Sequence, residues 1–140
     1  MSQFDRYSLL FFDSLSANLA VNLNNELIFY SMKTLGTYNN LLIVIIATIA
    51  SMIAISINYF LGRILSKISF FVNNQHFHTN YQLFRQFITK YQISIICLMI
   101  LPFGEKFIPL IAGFTKLNFI KIIVISLIIK LCCYSINIYI

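Results

Sequence analysis

The apolar positions of this chain fall into two unbroken runs and two interrupted ones. Residues 41–65, LLIVIIATIASMIAISINYFLGRIL, carry no charge before Arg63. About 20 such residues cross roughly 30 Å of hydrocarbon, so this run predicts a transmembrane helix. Residues 119–140 predict a second, of similar length, with Lys121 at its edge and Lys130 in its middle. Two further stretches are too broken to cross. Residues 8–35 have an apolar arm (9–21), the polar break NLNNE (22–26) and a second arm (27–35). Residues 93–116 have an arm (93–101), the break PFGEK and an arm from 107 to 115. Each arm is about half a span, the length expected of a re-entrant segment, whose irregular backbone must be packed in protein or line a wet cavity.

Between the halves, residues 66–92 are polar. NNQHFHTN reads as a turn or loop. In YQLFRQFITKY, Tyr81, Phe84, Phe87, Ile88 and Tyr91 recur at helical spacing, which predicts an amphipathic helix on the membrane surface. The whole is expected to be an all-α integral membrane domain, residues 1–140. It holds two re-entrant helical hairpins facing each other, two long transmembrane helices and a cytoplasmic amphipathic helix. Crossing the first span puts the hairpins on opposite faces, an inverted repeat that points to a site near mid-depth.

Composition agrees with the pattern. Hydrophobic residues make up 59% of the 140 and charged residues 10%, too little polar surface for a water-soluble domain. The net charge of +6 is spread around apolar runs, which suits membrane topology rather than nucleic acid. Arg63, Lys67, Arg85, Lys90, Lys116 and Lys121 fall on the side of the surface helix, and Arg6 and Lys33 on the other. By the positive-inside rule residues 66–92 are cytoplasmic. The start, MSQFDRYSLLFF, mixes acid and base and lacks a small-residue cleavage site, so no cleaved leader is expected. Abundant Ile, Asn, Phe, Tyr and Lys reflect AT-rich codons and suggest a bacterium with a reduced genome.

Four charges stand where hydrocarbon is expected: Glu26, Glu105, Lys106 and Lys130. A charge at the bilayer centre costs at least about 2.5–3.5 kcal/mol, so such groups face a cavity or a partner. Glu26 closes the first break and Glu105 lies in the second, so both carboxylates are expected near mid-depth, with Lys130 neutralising either. Burial beside a like charge favours a carboxylate's neutral form, which suits proton cycling. The bland alternatives are an interfacial Glu26, a structural Glu105–Lys106 pair and a snorkelling Lys130. Pro102, Gly104, Pro109 and Gly113 are read as helix-breaking residues of the second hairpin. Ala47, Ser51, Ala54, Asn58 and Gly62 form a small, polar face of the first span, suited to close packing with Asn58 bonding across it. Arg63 is either a positive-inside anchor or an anion ligand at the cavity mouth.

Enzyme signatures are missing. His76 and His78 lack a third ligand at metal-site spacing. No nucleophile has a nearby His base, and no phosphate-cradling Gly loop is present. Cys97, Cys132 and Cys133 lie in apolar segments and read as structural or incidental. No metal, cofactor or nucleic acid is expected.

INYFLGR (57–63), followed downstream by LPFGEKFIPLIAG (101–113), resembles the DedA family, also called the VTT or SNARE-associated Golgi protein family, in its short YqaA-like branch. LSANLAVNLNNEL (15–27) is similar to that branch's first hairpin, with Glu26 at its acid, and IKLCCY (129–134) to its Lys-bearing last helix. The second hairpin departs from the larger members, which carry Arg where this chain has Glu105. The resemblance implies a non-enzymatic translocator of membrane lipids in a bacterial cytoplasmic membrane. It would handle a lipid phosphate headgroup such as undecaprenyl phosphate or a phospholipid, with proton coupling through a carboxylate and homo-oligomers allowed. The alternative is a non-transporting scaffold or assembly subunit in which the charges pair statically.

Overall fold

The computed structural model describes residues 3–20, 26–71, 75–101 and 104–140, apart from the side chains of 70, 71 and 75–78. Within them every regular element is helical: α1 (Gln3–Asn18), α2 (Leu27–Leu35), α3 (Asn40–Phe71), α4 (Gln75–Lys90), α5 (Gln92–Cys97) running into a 3-10 turn (Leu98–Ile100), α6 (Gly104–Phe114) and α7 (Phe119–Tyr139). Asn22 to Asn25 of the first break and Pro102 of the second lie outside the described residues, as do the His76 and His78 side chains.

Among the described residues two helices are long and apolar enough to cross a membrane, Asn40–Ser69 and Phe119–Tyr139. They mark a membrane protein. At 1.5 Å per residue α7 is about 31 Å long, close to the hydrocarbon thickness. The outward face of α3 presents Ile45, Ile49, Ile53 and Ile57, each at least 39% exposed. An apolar stripe of that length in water would be an aggregation liability, whereas in lipid it costs nothing. The opposite face holds Ala47, Ser51, Ala54, Asn58 and Gly62, all buried, as its small residues lead one to expect.

α3 is the spine against which α6, α1 and α7 pack. Its contact with α6 is backbone on backbone. A Cβ on Gly62 would lie 1.9 Å from the Leu110 carbonyl oxygen, and one on Gly113 1.9 Å from that of Tyr59. Gly113 therefore serves helix approach, and the expectation that it breaks the helix is corrected. Pro109 likewise sits inside α6, where it removes the backbone donor that would reach the Glu105 carbonyl and crowds that carbonyl with its ring. Gly104 opens α6 against the 3-10 turn, with the Leu98 carbonyl oxygen 2.0 Å from where its Cβ would be. α6 ends with Leu117 N–H on the Ala112 carbonyl (2.9 Å) and Lys116 N–H on that of Gly113 (3.1 Å), a Schellman cap with Lys116 at φ 57° in the left-handed place glycine usually takes.

The segment 66–92 holds more helix than its polarity suggests. α3 continues to Phe71, and α4 begins at Gln75, inside the expected loop. Gln, His and Thr are polar, but no Gly or Pro interrupts them, so nothing stops a helix there. α4 buries Tyr81 and Ile88 and leaves Leu83, Phe84 and Phe87 exposed. It meets α5 at a 79° bend around Tyr91.

Two apolar clusters flank the middle of the fold. One gathers Leu10, Phe29, Met32, Ile43 and Tyr134 from α1, α2, α3 and α7. The other gathers Ile55, Tyr59, Ile96, Met99, Ile108 and Ile122 from α3, α5, the 3-10 turn, α6 and α7. On α7, Lys130 stands between Ile122 and Tyr134, and the polar site is built there.

Candidate functional site

Lys130 lies about 17 Å from the start of α7 and about 14 Å from its end at helical rise, near the middle of the helix. Its ammonium is partnered there. Lys130 Nζ is 2.5 Å from Glu105 Oε2, the side chains being 7% and 25% exposed, and donates to Asn18 Oδ1 at 2.7 Å. The Tyr134 ring, one turn on, lies with its centroid 5.2 Å from the same nitrogen.

Asn18 is the junction. Its amide nitrogen donates to Glu26 Oε1 at 2.5 Å and to the Ser14 carbonyl at 2.6 Å. Its backbone carbonyl accepts from Asn58 Nδ2 at 3.0 Å. The same Asn58 nitrogen lies 3.4 Å from the Lys106 carbonyl, and Asn58 Oδ1 accepts from Ala20 N–H at 3.0 Å. Tyr134 Oη donates to Glu26 Oε1 at 2.5 Å. Five helices thus contribute to one network: α1 through Asn18, the cap of α2 through Glu26, α3 through Asn58, α6 through Glu105, and α7 through Lys130 and Tyr134.

Local chemistry explains why the acids stand where they do. Glu26 is the N-cap residue of α2 and Glu105 lies in the first turn of α6. At helix N-termini unpaired N–H groups and the helix dipole favour negative charge. Asp13 does similar work from outside, its Oδ2 accepting from the Ile28 N–H of α2 at 2.8 Å. Lys106 is buried beside Glu105. Arg63 is exposed at the far end of the α3–α6 crossing and stands apart from the network. Among the described residues no group of three His, Cys, Asp or Glu side chains is placed to hold a metal ion.

The network therefore brings together Glu26, Glu105, Lys130 and Asn58, and leaves out Arg63. Asn18 and Tyr134 enter the network, and Asp13 caps α2 beside it, without having been singled out from the sequence. Each had a signal: Asn18 and Asp13 are polar side chains inside the apolar arm 9–21, and Tyr134 stands at i+4 from Lys130, on the same helix face. Chemically, the site is a set of paired charges and amides between two helix starts. A proton on either carboxylate, or an anion brought to Lys130, would rearrange its pairing.

No protein-family model matches the sequence, and no solved structure matches it. The chain is 36% identical to the uncharacterized protein RP436 of Rickettsia prowazekii over 140 residues, all of this chain and 99% of that protein. At that identity across both full lengths, this chain belongs to the family of Rickettsia prowazekii RP436.

Proposed function

We propose that this protein is a small multi-pass translocator of a bacterial cytoplasmic membrane, of the DedA kind, that carries the phosphate headgroup of a lipid past mid-depth while its tails stay in hydrocarbon. The observation that carries the reading is the Glu105–Lys130–Asn18–Glu26 chain of contacts. It joins two helix starts to a lysine halfway along a spanning helix. In this reading α1–α2 and α5–α6 are opposed re-entrant hairpins whose breaks meet there, and the basic ends of α3, α4 and α7 face the cytoplasm.

Charge balance gives the step its order. Lys130 at mid-depth cannot lose Glu105 without a replacement anion, because an unpaired buried charge is costly. A lipid phosphate supplies that anion. The displaced carboxylate then has no cation and is held most cheaply with a proton, so headgroup entry and proton uptake go together. Asn18 passes the change to Glu26, because the amide that bonds Lys130 also bonds that carboxylate.

A static scaffold is the second reading, favoured by how completely the network is satisfied within the protein: Glu26 Oε1 has two donors and Lys130 two acceptors. Reconstituted vesicles carrying a fluorescent lipid phosphate separate the two. Translocation is expected from the wild type and is expected to fall at least tenfold in Glu26→Gln and Glu105→Gln. Folded wild type that moves no lipid supports the scaffold; full rates in both variants refute the carboxylate mechanism.

A further inference from the structure

A second polar feature lies away from this network, in the elbow where α4 turns into α5. A cavity of about 320 Å³ there is lined by Thr89, Lys90, Gln92, Ser94, Lys121 and Ile125, with Tyr91 and Ile93 beside them. We infer that this cavity binds the headgroup phosphate of an anionic phospholipid at the membrane interface.

Charge is the first argument. The chain's four acids are Asp5, Asp13, Glu26 and Glu105. None lies on α4, α5 or α7, and none lines the cavity. Lys90 and Lys121 thus place two positive charges on one concavity with no carboxylate to balance them. Lys90 Nζ rests 5.6 Å from the Tyr91 ring centroid, a cation–π contact that positions the ammonium without neutralising it. Hydroxyl and amide groups of Thr89, Ser94 and Gln92 add polar partners of the kind that hold phosphate oxygens.

Depth is the second. Lys121 is in the first turn of α7, a helix long enough to cross the membrane, so it stands at headgroup level. The 79° bend between α4 and α5 lets α4 lie along the surface while α5 descends, and the cavity occupies the inside of that corner. Basic pockets at this level between membrane helices suit anionic headgroups.

Exposed apolar side chains at the cavity separate a lipid from free phosphate. Ile93 is 70% exposed and Tyr91 44%. These apolar neighbours would meet the glycerol and first acyl carbons of a lipid and have no use for an inorganic ion.

The test is equilibrium binding to the full chain in neutral detergent, so a failure of translocation leaves it unaffected. The ligands are short-chain phosphatidylglycerol, short-chain phosphatidylcholine and inorganic phosphate. Phosphatidylglycerol is expected to bind more tightly than phosphatidylcholine and to weaken about fivefold in Lys90→Gln or Lys121→Gln and about thirtyfold in the double variant. Lys90→Arg/Lys121→Arg is expected to retain binding. Circular dichroism on each variant confirms that it is folded. Unchanged affinity in the double glutamine variant overturns the site. Inorganic phosphate binding as tightly as phosphatidylglycerol overturns the lipid.

Discussion

Gly62→Ala is expected to destabilise the protein although alanine is the better helix former. A Cβ there meets the Leu110 carbonyl oxygen at 1.9 Å, its carbon at 2.8 Å and the Phe114 nitrogen at 2.9 Å. All three are backbone atoms of α6, so no side-chain rotation relieves the clash. To regain ordinary contact α6 must withdraw by about 1.5 Å. That takes the Asn58 amide, already 3.4 Å from the Lys106 carbonyl, out of hydrogen-bonding range. Helix propensity favours alanine by about 1 kcal/mol, while overpacking costs up to about 3 kcal/mol and a lost buried bond about 1 kcal/mol more. The net is a loss of about 3 kcal/mol, roughly a hundredfold in the folding equilibrium. The assay is unfolding in mixed micelles with increasing sodium dodecyl sulfate, followed by circular dichroism. Gly36→Ala is the control: φ is +63° and nothing lies within 4 Å of the new Cβ, so it carries only the left-handed strain, about 1–2 kcal/mol. Gly113→Ala strains the same crossing, so the double variant should cost clearly less than the sum of the two. Gly62→Ala at wild-type stability, or below Gly36→Ala in cost, refutes the backbone contact.

Three further outcomes follow from the hydrogen-bond pattern. Lys130→Met strands Glu105 and should cost about 3–5 kcal/mol in the same unfolding assay, while Lys130→Met/Glu105→Gln recovers at least half of it. Asp13→Ala removes the acceptor for Ile28 N–H and should cost about 1 kcal/mol, seen as faster amide exchange confined to the first turn of α2. Among the described residues the Ser14 and Ser66 hydroxyl oxygens are buried without a partner, so Ser14→Ala and Ser66→Ala are each expected to hold or raise the unfolding midpoint.

The spans were legible because lipid reads composition directly. Runs 41–65 and 119–140 correspond to Asn40–Ser69 and Phe119–Tyr139, and the second arm of the first break coincides with α2. Convergence of Glu26, Glu105 and Lys130 was legible for a related reason: charges at mid-depth have few places to go except to one another. Gly113 was misread because a glycine needed for a turn and one needed for close approach look alike until the neighbouring helix is known. Gly113 makes sense only against Tyr59, 54 residues earlier. Asn18 escaped notice because a single amide in an apolar arm is a weak signal; its importance comes from Glu26, Asn58 and Lys130 of three other helices meeting it. The polar stretch before Tyr81 read as loop from composition alone, yet only Gly or Pro would have enforced that.

In the proposed translocator the Glu105–Lys130 pair is moved in use and is more than a fixed brace. The most direct measurement is the rate at which folded Lys130→Met/Glu105→Gln passes a fluorescent lipid phosphate across reconstituted vesicles, beside the wild type and empty vesicles. This variant keeps the packing and removes both charges. A translocator that works through this pair predicts a rate no faster than that of empty vesicles; a rate equal to the wild type's would contradict it.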